Sequence, residues 1–346
     1  MAKNNPYSLM FGKAPMQVIP RSVLTEEVCS MFMSEQPSQQ IYMITGVRGS
    51  GKTVFMTEIQ KRFSKEKDWV TVELNPAKDL LLSLAAKLYN DQKLTSLFKT
   101  AKINLSFYGI GVEISGADPI TDIEVAITRM LETLKKKKKR LLITIDEVTS
   151  TEDMRVFASA YQIFIRKDLP VFLLMTGLYE NINALQNDKM LTFLYRAPKI
   201  NLGSLNMGSI ANNYLKTFKI DEDTAITMAK ITKGYPFAFQ VLGYYTFENG
   251  GSYEKALDGL REYLDEYVYE KIWSELSPVD KKVVNAIASS KTGKIADIRR
   301  DLSMESNEFS PYRDRLIKKG LINGDERGRV FFTLPLFEKF VIANYY

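Results

Sequence analysis

Eight consecutive residues, "GVRGSGKT" from Gly46 to Thr53, set three glycines, a lysine and a hydroxyl in the order G-x-x-x-x-G-K-[ST]. Each residue type has a task around a polyphosphate. The glycines let the backbone of Gly46, Val47, Arg48, Gly49, Ser50 and Gly51 wrap phosphate oxygens with its N–H groups. Lys52 brings a cation to the β- and γ-phosphates, Thr53 offers a hydroxyl to Mg²⁺, and Val54 continues the segment away from the loop. A glycine-rich turn without a ligand is the bland alternative. The context argues against it: "QIYMIT" (residues 40–45) reads as a short buried strand, and "KTVFMTEIQKRFSKE" has the spacing of an amphipathic helix.

A second stretch supplies complementary chemistry. "RLLITIDEV" (residues 140–148) is an apolar strand ending in Asp146, a carboxylate able to hold Mg²⁺ directly or through water. Glu147 follows at once, where a water-activating base belongs. A chain that only held a nucleotide would have no need of it. "VFLLMTGL" ends in Thr176, which either senses the γ-phosphate and positions water or caps the turn. Arg196, in "FLYRAPKI", either reaches a neighbouring subunit's nucleotide to stabilise transition-state charge or is an ordinary surface arginine; the first role requires a homo-oligomer.

These residues need a scaffold. Strand patterns at "QIYMIT", "WVTVEL", "RLLITIDEV", "LPVFLLMTGL" and "PKINLGSL" alternate with helical ones, which predicts an α/β fold with a parallel sheet covered on both faces. A helix over residues 23–33 precedes them. "KINLSFYGIGVEISG" (residues 102–116) reads as a hairpin inserted before the third strand. "KKKKKR" (residues 135–140) reads as a solvated helix C-terminus, where cations suit the dipole, with a nucleic-acid contact as the alternative. From residue 206 the pattern is helical only. The expected division is a P-loop core over 1–205, a helical lid over 206–276 and a third module over 277–346. "SPVDKK" opens that module with Ser at the cap, Pro at the first helical position and Asp in the first turn.

The module itself reads as helices at 278–288, "KIADIRRDL" and "FSPYRDRLIKKG", with "SMESNE" as the turn between the last two and Gly320 as a C-cap. Two strands about a charged turn come next. Three helices and a hairpin make a winged helix-turn-helix. The module carries 13 Lys/Arg against 9 Asp/Glu. Tyr312, Arg313, Arg315, Lys318 and Lys319 lie on the candidate recognition helix, with Arg327 and Arg329 on the wing. They suit phosphate contacts on duplex DNA. Glu305, Glu308 and Asp314 weaken that reading, and a protein-binding or autoinhibitory module is the alternative.

Composition bounds the rest. The 346 residues are 45% hydrophobic and 25% charged, with net charge +6, an ordinary globular balance with a mild basic excess. The absence of histidine rules out His-based triads and His metal sites, and a single cysteine, Cys29, allows no internal disulfide. That cysteine usage, no signal-peptide pattern and no bilayer-length apolar stretch lead to the expectation of a cytoplasmic protein with no membrane contact.

With these landmarks placed, the chain resembles the AAA+/STAND branch of P-loop ATPases, nearest to bacterial and archaeal AAA ATPases akin to the origin-recognition initiators. The stretch "FGKAPMQVIPRSVLTEEV" resembles that family's arm, and the resemblance implies that the backbone of Ile19, Pro20 and Arg21 helps cover the adenine. "KGYPFAFQVLGYY" resembles its G-x-P lid motif, which implies that Gly234 and Pro236 approach base or sugar. The usual sensor arginine of the unfoldase branch is not evident there. The resemblance implies ATP/ADP and Mg²⁺ as ligands, with ATP between core and lid. It leaves three functions open: a DNA-binding ATPase, a signalling or defence switch whose C-terminal module binds protein, and a non-hydrolysing scaffold.

Overall fold

Apolar runs with hardly a polar interruption form the centre of the molecule. In the computed structural model, which describes residues 4–10, 15–111 and 113–345, helix α1 (Ser22–Met33) leads into strand β1 (Ile41–Thr45). The chain then alternates through α2 (Lys52–Phe63), β2 (Trp69–Leu74), α3 (Leu80–Tyr89), α4 (Thr95–Thr100), α5 (Ile123–Lys136), β3 (Arg140–Ile145), α6 (Glu152–Arg166), β4 (Val171–Thr176), α7 (Tyr179–Gln186) and β5 (Lys199–Asn201). Residues 11–14 of the expected arm and residue 112 of the expected hairpin lie outside the described residues.

The five strands pair in parallel in the order β2-β3-β4-β1-β5. Side-chain parity divides them between two buried faces, as a parallel sheet requires. Met43, Leu141, Ile143, Leu173 and Met175 join the core built with α3, α5 and α6. The other parity meets α1 and α2 in an aromatic layer: Phe32 lies 5.5 Å from Tyr42 and 5.0 Å from Phe172, and Phe63 lies 4.2 Å from Trp69, measured between ring centroids. Asp79, Asp122 and Thr151 cap α3, α5 and α6 by accepting from the backbone N–H groups of Leu82, Val125 and Met154, which fixes where those helices begin.

From α8 (Met207–Phe218) onward helices dominate: α9 (Glu222–Thr232), α10 (Pro236–Glu248), α11 (Leu257–Leu264), α12 (Glu270–Ser274), α13 (Pro278–Ser289), α14 (Ile295–Leu302) and α15 (Ser306–Lys318). A two-stranded antiparallel ladder, β6 (Ile322–Asn323) and β7 (Phe331–Phe332), and helix α16 (Phe337–Asn344) complete the chain. By internal contact the molecule forms two compact units. One is Ser22–Thr45 with Lys52–Asn201, the sheet unit. The other combines the segment up to Arg21, the loop Gly46–Gly51 and everything from Leu202, the helical unit. Lid helices and C-terminal module share one apolar core in the latter, including Leu264, Tyr269, Val283, Leu316 and Phe337. The N-terminal arm returns onto it: Tyr7 is buried against Phe218 and Phe239, its hydroxyl donating to Asn213 Oδ1 at 2.8 Å.

Two expectations need correcting. Residues 102–116 form no strands among those described; the alternation comes from an irregular loop that sinks Ile103, Leu105 and Ile110 into the core. Asn104, fully buried, holds that loop by donating to Ala117 O at 2.8 Å and accepting the Ile120 N–H through its own carbonyl. A 3₁₀ turn at Ser106–Tyr108 ends on Gly109 in the left-handed region. The turn expected at "SMESNE" is confined to Ser303–Glu305, and Ser306–Glu308 already open α15, because Glu305 and Glu308 form a reciprocal capping box, with the Glu305 N–H donating to Glu308 Oε2 at 2.8 Å. Within the stretch expected to be helical only, a π-helical turn at Asp265–Tyr269 separates α11 from α12. Helix α16 had no counterpart in the sequence pattern. By contrast, Ser277 caps α13 with Pro278 at its first position, and α15 ends on Gly320 at φ +77° with the paired Gly320–Ile317 and Leu321–Leu316 bonds of a Schellman motif. No helix among the described residues is long and apolar enough to cross a membrane.

Candidate nucleotide site

In open parallel sheets ligands gather beyond the C-terminal strand ends. In the sheet unit the start of α2, the carboxylates after β3 and the threonine closing β4 all sit there. Within the sheet unit, Thr53 Oγ1 donates to Asp146 Oδ2 at 2.7 Å. Thr176, with no solvent exposure, donates its hydroxyl to Asp146 Oδ1 and accepts the Glu147 N–H at 3.1 Å. One hydroxyl thus orients the aspartate and pins the turn after it. Asp146 and Thr53 form an all-oxygen pair that suits Mg²⁺, a hard ion that takes few protein oxygens and leaves the rest to phosphate and water. Glu147 comes next at φ +53°, a left-handed backbone that non-glycine residues rarely adopt, with its side chain exposed. Lys52 and Thr53 occupy the first turn of α2, whose N-terminal dipole favours anions, and Val54 is half-buried in the same turn.

The loop Gly46–Gly51 is shaped from the other unit, to which it belongs. Gly49 at φ +76° and Gly51 at φ +84° need glycine, and a Cβ on Gly49 would also overlap the Tyr235 phenol. The Tyr235 hydroxyl donates to Arg48 O at 2.6 Å. Burial drives that phenol well above the ordinary tyrosine range, with Arg48 opposing weakly, so it stays a donor. Gly234 takes φ +72° and passes too close to Leu205 O to carry a side chain, and Pro236 begins α10 near Gly51. The expected G-x-P motif therefore meets the phosphate loop, and its unremarked middle residue makes the hydrogen bond. Only its position between two singled-out residues could have drawn notice to Tyr235.

The remaining loop contacts come from both ends of the chain. Arg21 donates to Gly203 O at 2.7 Å and Ser50 O at 3.3 Å, and its burial lowers its pKa. Ile19 is buried and Pro20 exposed beside it. Arg48 pairs with Glu275 at 3.1 Å, which also meets Lys271. Gly320 lies where a Cβ would approach Val47 N to 3.6 Å. The Ser50 hydroxyl is buried without a hydrogen-bond partner, an orphaned polar group in the cradle itself.

The other sequence-derived residues divide. Arg196 is exposed at the end of a 3₁₀ turn, Thr192–Arg196, next to the exposed Tyr195 in sequence. In the C-terminal module most candidate contacts are already engaged. Arg315 donates through Nε at 3.1 Å and Nη2 at 2.5 Å to Asp280, which is 2% exposed, and lies over the Tyr312 ring. Arg313 pairs with Asp314 at 3.3 Å and packs against Gly324; Arg329 pairs with Glu326 at 2.9 Å. Lys318 and Arg327 are exposed, and the half-buried Lys319 caps α15.

Residues 31–165 match the model of an ATPase domain predominantly from Archaea, and residues 266–341 match that of a domain of unknown function. None of the curated proteins matches the chain in sequence. Among solved structures it is similar to a Walker-type ATPase of Pyrococcus abyssi, with TM-score 0.67 and 14% identity over 94% of this chain and 96% of that one. It is also similar to the ORC2 protein of Aeropyrum pernix in its ADP form, with TM-score 0.51 and 13% identity over 96% and 97%. Sheet order, phosphate loop and the archaeal ATPase match agree: residues 31–165 are an ATPase domain with a P-loop, in a chain whose fold is similar to those of the archaeal Walker-type ATPase and the ORC2 protein.

Proposed function

We propose that this nucleotide-binding ATPase is a cytoplasmic, Mg²⁺-dependent switch that hydrolyses ATP to ADP and phosphate and passes its nucleotide state to the C-terminal module. The observation that carries it is the Thr53–Asp146–Thr176 chain of hydrogen bonds with Glu147 next in sequence. Backbone N–H groups of residues 46–51 and Lys52 bind the phosphates, and Ser50 gains the partner it lacks. Thr53 and Asp146 hold Mg²⁺, which when bound offsets phosphate charge. Glu147 accepts a proton from water as the water oxygen bonds to the γ-phosphorus and the bond to the ADP oxygen breaks. Thr176 keeps Asp146 and the Glu147 turn in place. Arg196 is the group available to a neighbouring copy's nucleotide. Ile19, Pro20, Arg21, Gly234 and Pro236 flank the base and sugar.

The output runs through the residues that touch the loop. Tyr235 reads the Arg48 carbonyl and Glu275 reads the Arg48 side chain, two residues before the Ser277 cap of α13. A loop that reshapes around phosphate must alter both contacts, which biases the module between two arrangements. We assign the module as a winged helix that docks on duplex DNA, led by Lys318 and Arg327. A second reading, that it docks on protein, is favoured by the internal pairing of Arg313, Arg315 and Arg329. The test of the switch is phosphate release by wild type and Glu147→Gln. The variant should bind ATP as wild type does and release phosphate at least about 100-fold more slowly. Equal rates would remove Glu147 as the base, and no release by wild type would make the chain a nucleotide-gated scaffold.

A further inference from the structure

The opposite end of the sheet carries a feature that nucleotide chemistry does not use. Strands β2, β3 and β4 are neighbours, so the segments leading into them lie side by side at one edge. Into β3 comes the lysine run. Its last two cations are internal braces: Lys139 Nζ donates to Lys67 O at 3.0 Å, and Arg140 donates to Phe32 O and Ser34 O, both at 2.8 Å. The four lysines at 135–138 are exposed. Lys65 and Lys67 stand exposed before β2, and Arg166 and Lys167 before β4. The carboxylates nearby in sequence are Glu66, Asp68, Glu132 and Asp168, all described, yet no ion pair forms among these groups.

Stability does not account for such an edge. A helix dipole favours a cation or two in the last turn, but the run continues past α5 through Lys137 at the cap to Lys138 at φ +54°. That position lies beyond the helix in left-handed conformation, where glycine or asparagine would fit with less strain. Eight unpaired cations also repel one another.

We propose that this lysine edge is a sequence-independent docking surface for the phosphate backbone of duplex nucleic acid. Lysine ammonium groups are point charges that meet phosphates without the planar fork that reads guanine. Among the described residues of the three segments no large apolar side chain is exposed, so there is nothing to insert into a bilayer. No aromatic platform for unstacked bases is exposed on them either, since Trp69 packs between Phe63 and Phe172. The partner is therefore a dense, regular array of phosphates. This surface lies in the sheet unit, whereas the docking assigned to Lys318 and Arg327 lies in the C-terminal module, so the two can fail separately.

The experiment measures affinity of the full chain for a random-sequence duplex from 50 to 200 mM salt, with ATP present. Three proteins are compared: wild type, Lys135→Gln/Lys136→Gln/Lys137→Gln/Lys138→Gln, and Lys318→Ala/Arg327→Ala. Loss of four phosphate contacts lowers the slope of log affinity against log salt by about 3 to 4. We expect that change, with at least a tenfold loss of affinity at 100 mM salt, in the edge variant, and unchanged ATP hydrolysis and thermal melt. A parallel series uses vesicles with one third phosphatidylserine. Duplex affinity of the edge variant equal to wild type, no duplex binding by wild type, or binding to vesicles alone would each overturn the proposal.

Discussion

Substituting Arg315 by alanine distinguishes a residue that reads a partner from one that holds the C-terminal module together. Asp280 is 2% exposed, and its Oδ1 has Arg315 as its partner while Oδ2 accepts from the Ser277 hydroxyl at 2.7 Å. Truncating Arg315 leaves Oδ1 and its charge unpaired. Breaking a fully buried pair in this way costs about 3–5 kcal/mol. The Arg315 side chain is itself 39% exposed, so water can reach the vacated side and reduce the loss to about 2–3 kcal/mol. That corresponds to an opening equilibrium raised about 30- to 150-fold. Amide hydrogen exchange over residues 278–318 is the suitable assay, because it reports opening of α13 and α15 rather than of the whole molecule. Asp280→Asn combined with Arg315→Gln should recover at least half of the loss, since it removes the buried charge with its partner. Exchange in Arg315→Ala within about 0.5 kcal/mol of wild type would refute the reasoning and return Arg315 to the set of free cations.

Tyr235→Phe removes a buried hydroxyl and leaves the Arg48 carbonyl without its donor; the loss should be about 1–2 kcal/mol, seen as a lower denaturation midpoint in the nucleotide-free protein. Thr176→Val keeps the shape but releases Asp146 and the Glu147 N–H, so phosphate release should fall at least about tenfold while the fold persists by circular dichroism. Cys29 is fully buried and its thiol is pushed up to about 11, chiefly by desolvation. Its thiolate fraction at pH 8 is then about one in a thousand, rising as pH approaches 11. An aromatic disulfide reagent should therefore label it only on the timescale of unfolding, and labelling within seconds at pH 8 would show the site open.

The sheet was legible because its strands leave little choice: "VFLLM" has no polar residue and "LLITI" only the hydroxyl of Thr144, itself buried, and each run leads straight to a group that chemistry can use. The capped helix at Ser277 was legible for a local reason, a cap and a proline in adjacent positions. The loop at 102–116 misled because alternation identifies buried positions, not hydrogen-bond partners, and its partners are the Ala117 carbonyl and the Ile120 N–H. The module's cations misled in a similar way. Asp280 and Arg315 are 35 residues apart, and no local pattern reveals that one neutralises the other. The π-helical turn at Asp265–Tyr269 lies in a stretch whose residues all suit an α-helix, so only packing, including the Tyr269 hydroxyl donating to Pro335 O, distinguishes it.

The backbone at Glu147 has an evolutionary consequence. A left-handed glutamate costs about 1 kcal/mol that glycine would not incur, so the chain would fold more firmly without the side chain proposed to take the proton. Stability and turnover then pull this position in opposite directions. In a lineage relieved of the need to hydrolyse, glycine or asparagine should replace the glutamate early, before Lys52 or Asp146 changes. The residue here thus serves as a marker, readable from sequence alone, of whether a descendant of this chain still consumes its nucleotide or merely holds it.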